Sequence, residues 1–295
     1  MDGWVDVEDL SFAYREWGKG PLVLLLHGFP DSPGTFHVLG QSLALAGFRA
    51  VAPWLRGYGP TFSGAPTSLA QLGRDVLDLA DALQLGEPVH VVGHDWGVVA
   101  GCMAATLRPE RIRRLALLGL PHPAHFLTRV FADQQQLRRS WYMWFFQLPE
   151  LSESVLCAED YALIDRLWSD WSPDLTTPIP HRAEITETFD LGGAEGPIGY
   201  YRTVFSGGAK RDPDERALYG PVCVPTLSLI GANDGCVGAS LAEGQEQYWE
   251  WSLTSRIVEG CGHFLHLERP RYVANSIIEF ICDPQRPSAL SPPVP

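Results

Sequence analysis

Between Val91 and Gly101 the chain reads VVGHDWGVVAG, and this stretch constrains the fold more than any other. Val89 to Val92 is a short run suited to a buried strand, and Val98 to Leu107 (VVAGCMAATL) is a run of small and apolar residues suited to a buried helix. Only one short turn separates them. Small residues at 93, 97 and 101 let strand and helix approach closely, and the central side chain, Asp95, is then pushed out of the turn. A strand, a tight turn and a buried helix in that order predict a layered α/β architecture with helices packed directly on a sheet.

The remainder repeats this alternation. Pro21 to His27, Phe48 to Trp54, Pro88 to Val92, Ile112 to Leu118, Pro225 to Ile230 and Ser255 to Glu259 read as buried strands bounded by Gly or Pro. Ser68 to Leu85 places Leu69, Leu72, Val76, Leu79 and Leu83 on one helical face, and Glu268 to Ile281 is similarly periodic. The spacing predicts βαβ units and a mostly parallel, doubly covered sheet. Val5 to Trp17 alternates instead, which suits an antiparallel hairpin at the sheet edge. From Pro121 to about Tyr219 the strands vanish and aromatics crowd in, so residues 121–219 read as a helical insertion between core segments 1–120 and 220–283. Residues 284–295 are Pro-rich and read as a disordered tail.

Charge and composition exclude several partners. The chain carries 22 Lys and Arg against 35 Asp and Glu, with no basic cluster able to neutralise phosphates, so neither nucleic acid nor an anionic membrane surface is expected. The N-terminal MDGWVDVEDL lacks the basic and apolar regions of a signal peptide, and no apolar run approaches the length of a membrane span; a soluble cytoplasmic protein is expected. Six cysteines without paired spacing point to neither a zinc site nor a disulfide framework. Of these, Cys236 and Cys261 fall nearest the residues considered next.

In Gly93-His94-Asp95-Trp96-Gly97 the glycines flank the central residue as in a nucleophile elbow, with aspartate where serine is usual. An aspartate ahead of a helix is also an ordinary N-cap. Three further loops bear on the choice. His27-Gly28-Phe29-Pro30 follows the first buried strand, where this architecture takes one oxyanion-hole N–H; that assigns Phe29, and Trp96, the residue after the nucleophile, as the two donors. Gly231-Ala232-Asn233-Asp234-Gly235 and Gly260-Cys261-Gly262-His263-Phe264 each place one ionisable residue beyond a strand's carboxyl end. Asp95, Asp234 and His263 thus occur in the chain order of the nucleophile–acid–base triad.

With those motifs in hand, the sequence resembles the α/β-hydrolase-fold epoxide hydrolases over about Val5 to Phe280. HGFP, GHDWG, GANDGCV and GCGHFLHLERP resemble that family's oxyanion, nucleophile, acid and base motifs in order. The resemblance implies an α/β-hydrolase fold with a helical lid, no metal and no cofactor, and a small hydrophobic epoxide and water as reactants. In the insertion, YMWFFQLPE (Tyr142 to Glu150) resembles the segment in which a tyrosine precedes F-Q-x-P, and GYYRTVF (Gly199 to Phe205) resembles the W-Y-R segment. The lid tyrosines so implied are Tyr142 and Tyr201, with Tyr200 an adjacent competitor for the second place. The chain departs from the family at Trp54 and Pro60, on either side of R-G-Y-G.

A carboxylate nucleophile suits attack on saturated carbon, because the alkyl ester it forms keeps a carbonyl that water can attack; an ether to serine would not. The expected reaction is epoxide opening by Asp95, then hydrolysis by water activated by His263 and oriented through Asp234. Haloalkane and haloacid dehalogenases share the aspartate and stand as alternatives, with Trp96 fitting the first. A non-catalytic ligand-binding protein of the same fold is the alternative from another class.

Overall fold

Eight strands form one sheet in the order β1-β2-β4-β3-β5-β6-β7-β8. They are β1 (Gly3–Val7), β2 (Leu10–Trp17), β3 (Leu22–Leu26), β4 (Arg49–Pro53), β5 (Val89–His94), β6 (Ile112–Leu118), β7 (Thr226–Gly231) and β8 (Leu253–Val258). This computed structural model describes residues 1–8, 10–64, 66, 68–175, 181–205 and 212–284. β1 and β2 form the expected edge hairpin, paired from Gly3 with Tyr14 to Val7 with Leu10, and β2 goes on to pair antiparallel with β4. From β4 to β8 every pairing is parallel.

The inner parallel strands β3 to β7 read as near-continuous apolar runs because both faces are covered, whereas β8, expected as a buried strand, is the sheet edge and leaves Ser255, Arg256 and Ile257 exposed. Along β3, Leu22, Leu24 and Leu26 enter one core cluster while Val23 and Leu25 enter the other. Helices α2 (Leu69–Leu83) and α3 (Trp96–Leu107) pack on the first face; α1 (His37–Leu45) and α12 (Pro270–Cys282) close the second. The Ser68 hydroxyl caps α2 by accepting from the Gln71 N–H at 3.1 Å. Between β6 and β7 lie seven α-helices among the described residues: α4 (Pro123–Arg129), α5 (Gln134–Arg139), α6 (Trp141–Phe145), α7 (Leu151–Cys157), α8 (Ala162–Trp171), α9 (Arg182–Gly192) and α10 (Glu195–Phe205). The short helix α11 (Leu265–Glu268) precedes α12. No helix among the described residues is long and apolar enough to cross a membrane. Of the Pro-rich end only Pro284 is described; residues 285–295 lie outside the described residues.

β5 and α3 are joined by one residue in an unusual conformation. Asp95 has φ 50° and ψ −114°, a left-handed backbone that a non-glycine residue adopts only when its surroundings impose it. The imposition comes from the glycines on either side. A Cβ at Gly93 would run into the Gly97 carbonyl, and one at Gly97 into the Leu26 carbonyl of β3. Strand, turn and helix are therefore in backbone contact, and Asp95 is thrust upward at the carboxyl end of the sheet. Gly97→Ala is expected to cost about 1–3 kcal/mol through this overpacking. A urea unfolding midpoint equal to that of the parent chain would show instead that α3 can withdraw from β3 without penalty.

Candidate active site

Asp95 occupies the N-cap position of α3, yet its carboxylate makes no capping bond to that helix. It turns across to the loop after β3, where the Phe29 N–H donates to Oδ1 at 2.9 Å. The Trp96 N–H also favours the charged form. Both donors assigned from the sequence thus converge on this side chain. Gly28 is indispensable here, because a Cβ at that position would overlap Asp95 itself. Burial pushes the Asp95 carboxyl above the ordinary range, and His263, His94 and the two backbone N–H groups oppose that rise.

His263 lies on the other side of Asp95, fully buried, with Nε2 3.8 Å from Asp95 Oδ2 and making no hydrogen bond of its own. Its Nδ1 donates to Asp234 Oδ2 at 2.9 Å. Asp234 is held in turn through Oδ1, which accepts from the Cys236 and Val237 N–H groups, each at 2.7 Å. That pair fixes the tautomer that leaves Nε2 facing Asp95. Burial resists a charge on His263, but Asp234 and then Asp95 outweigh it, and the imidazole pKa lies above its ordinary value. The loops after β5, β7 and β8 therefore bring together Asp95, Asp234 and His263.

Over Asp95 lies a narrow cleft whose walls include Leu120, Phe126, Met143, Leu218 and Val237. Tyr142 and Tyr201 also line it, their rings perpendicular at 5.5 Å. The two motifs in the insertion explain this placement. Gln147 donates to the carbonyls of Met143 and Tyr201 at 2.9 and 3.2 Å, and Arg202 donates to the Phe146 carbonyl at 2.9 Å, so α6 and α10 are stitched together with a tyrosine on each. The Tyr142 hydroxyl meets Cys236 Sγ at 3.2 Å. The Tyr201 hydroxyl is buried beside Trp96 and completes no hydrogen bond with it. Burial raises both phenols well above the usual tyrosine pKa, so both stay protonated. Tyr200 is directed elsewhere: its hydroxyl donates to the Arg56 carbonyl at 2.7 Å, tying α10 to the loop after β4.

Among the described residues, two groups of side chains have metal-ligating atoms within 4.8 Å of one another: Asp95, Cys236 and His263, and Asp31, His94 and His266. In the second, Asp31 accepts from the Ser32 N–H at 2.7 Å and the Thr35 hydroxyl at 3.2 Å, while His94 Nε2 donates to the His263 carbonyl at 3.1 Å. Burial lowers the His266 pKa to about 3. His27 is a structural loop residue, with Nδ1 donating to the Gly28 carbonyl and Nε2 accepting from the Leu55 N–H. Trp54 and Pro60 line a separate recess with Arg15 and Glu184 rather than the cleft over Asp95.

The sequence matches the family described as alpha/beta hydrolase fold over residues 21–270. The chain belongs to the α/β-hydrolase family. Among curated members it is 31% identical over 303 residues to "Epoxide hydrolase 4" of Homo sapiens, spanning 96% of this chain and 79% of that one. It is 30% identical over 293 residues to "Epoxide hydrolase 3" of Xenopus tropicalis, spanning 95% and 77%. Its fold is similar to that of an epoxide hydrolase of Bacillus megaterium solved with an inhibitor, at TM-score 0.82 and 22% identity, covering 95% of this chain and all of that one.

Gln136 is a member of this α/β-hydrolase site that sequence reasoning missed. It sits on α5, fully buried, and joins the acid loop to the insertion: its amide donates to the Cys236 carbonyl at 2.8 Å and accepts from the Gly238 N–H at 2.8 Å. No motif marks it. The contrast between neighbouring tyrosines is directly testable. Tyr200→Phe removes the hydroxyl bond to the Arg56 carbonyl and is expected to lower stability by about 1 kcal/mol in urea unfolding, whereas Tyr201→Phe removes no such tether and is expected to leave stability unchanged. Equal losses would mean that Tyr201 also serves as a tether.

Proposed function

We propose that the protein hydrolyses an apolar epoxide to a vicinal diol through an ester on Asp95. The observation that carries this reading is a buried carboxylate at the elbow, flanked by the His263–Asp234 pair and faced across one apolar cleft by two phenols. The relatives named epoxide hydrolase support it. The helices of residues 121–219 act as the lid.

In the first step Asp95 Oδ2 attacks an epoxide carbon and the C–O bond of the ring breaks. Oδ1, held by the Phe29 N–H, becomes the ester carbonyl oxygen. Tyr142 and Tyr201 hydrogen-bond the ring oxygen, and one of them gives its proton to the alkoxide as it forms. In the second step water in the gap beside His263 Nε2 gives a proton to that nitrogen and adds to the ester carbon. The oxyanion on Oδ1 faces the N–H groups of Phe29 and Trp96; loss of one such donor typically costs about 10²–10³ in rate. Collapse of the adduct breaks the ester C–O bond; the departing alkoxide takes the proton left on the added oxygen, which completes the diol and restores the Asp95 carboxylate, and the proton on His263 returns to the tyrosinate. Water and epoxide are the only reactants, and no cofactor enters the balance.

The leaving oxygen needs donors and the cleft supplies phenols. A halide would draw on indole or amide N–H groups instead, so dehalogenation is the competing reading. Incubation with an aryl epoxide, a haloalkane and fluoroacetate, assayed for diol and free halide, is expected to give diol only; halide without diol would overturn the assignment. In a single turnover in ¹⁸O-water the label should enter the Asp95 carboxylate, and an unlabelled Asp95 would exclude the ester.

The pH dependence follows from His263, which must be neutral to accept a proton from water. Against burial, Asp234 raises its folded pKa above the ordinary value of about 6.5 and still faces it in the ester, so turnover is expected to rise with pH through a limb that this pair sets. Asp234→Asn removes the charge that holds the pKa up. The limb should then move to lower pH while the maximal rate falls by at least about 10²-fold. A limb that stayed in place would assign it to another group.

A further inference from the structure

Cys236 is gripped at three points. Its N–H donates to Asp234 Oδ1 at 2.7 Å, its carbonyl accepts from Gln136 Nε2 at 2.8 Å, and its thiol meets the Tyr142 hydroxyl at 3.2 Å. The same Gln136 amide also donates to the Ser140 hydroxyl at 3.0 Å, and Ser140 is the N-cap residue of α6, the helix that carries Tyr142. One glutamine therefore sets both sides of the thiol–phenol contact, which lies wholly inside the protein. Tyr201, by contrast, has no hydrogen-bonding partner at its hydroxyl.

We propose that Cys236 is a positioning residue that aims the Tyr142 hydroxyl at the leaving oxygen and then supports the tyrosinate left after proton transfer. A thiol is both a weak acceptor and a weak donor. In the resting site it holds the phenol in place, yet yields readily when a developing alkoxide offers a better acceptor. The Tyr142 O–H bond then breaks, its proton passes to the alkoxide oxygen, and the S–H, which stays intact, donates to the phenolate. A carboxylate at position 236 would compete more strongly for the Tyr142 proton and could donate nothing to the phenolate. The thiol acts on ring opening alone, because its link to Asp234 runs through the backbone and survives side-chain replacement.

This inference rests on the epoxide reading for the role of Tyr142, but the contact itself does not. Single-turnover kinetics on an aryl epoxide separate ester formation from ester hydrolysis. Cys236→Ala is expected to slow ester formation about tenfold and leave hydrolysis unchanged, and Cys236→Ser, which keeps a small donor and acceptor, is expected to recover most of the loss. In a Tyr142→Phe background the Cys236→Ala change should have no further effect. Equal slowing of both steps, or an effect that persists in Tyr142→Phe, would overturn the proposal. The infrared S–H stretch of Cys236, identified by difference against Cys236→Ala, should shift in Tyr142→Phe; an unmoved band refutes the contact whatever the substrate proves to be. A shifted band with no diol formed would place the failure in the epoxide reading instead.

Discussion

One hydrogen bond joins the two halves of the site: the Phe29 N–H on Asp95 Oδ1. It bridges the loops at the ends of β3 and β5, adjacent parallel strands whose register sets Leu26 beside Gly93. Three glycines make that register possible, because side chains at 28, 93 or 97 would each occupy space that backbone or Asp95 now fills. The strained backbone at Asp95 follows from the same crowding. A strained residue persists where its surroundings over-determine it, and here the surroundings are main-chain atoms rather than side chains that could repack.

Charge in the interior is arranged around that bond. Asp95 and His263 are both buried and each favours the ionised form of the other, at 3.8 Å and without direct contact. In the proposed cycle, alkylation of Asp95 removes its negative charge. His263 then loses one of the influences that raise its pKa and gives up its proton more readily, at the step that needs a neutral imidazole. Two other buried histidines nearby, His27 and His266, are held uncharged by burial and act as shape rather than charge.

Much of this was legible in the sequence because it resides in local pattern. The strand runs, the amphipathic α2 and the four loop motifs lie within short windows, and the elements form within a few residues of the positions they indicate. What stayed hidden depends on direction. Tyr200 and Tyr201 are neighbours on α10, so they point about 100° apart, and which one meets the cleft depends on how the helix rests on the core. Gln136 carries no signal, since a buried glutamine on a short polar helix looks like a solvated one until its partners are known. Trp54 and Pro60 follow the R-G-Y-G loop's backbone away from the cleft, so their departure from the family pattern bears on the contact between β2 and α9.

The insertion is fastened to the core mainly through the loops that build the site. The Trp168 indole donates to the Pro30 carbonyl at 2.8 Å, and Glu184 on α9 accepts from the Gly34 N–H at 2.7 Å while pairing with Arg15. Tyr200 fastens α10 to Arg56 in the same way. Pro30 is the residue next to Phe29, so a displacement of α8 would pull directly on the segment whose N–H holds Asp95 Oδ1. In the proposed cycle, the seating of the insertion and the aim of Asp95 would then draw on one set of hydrogen bonds.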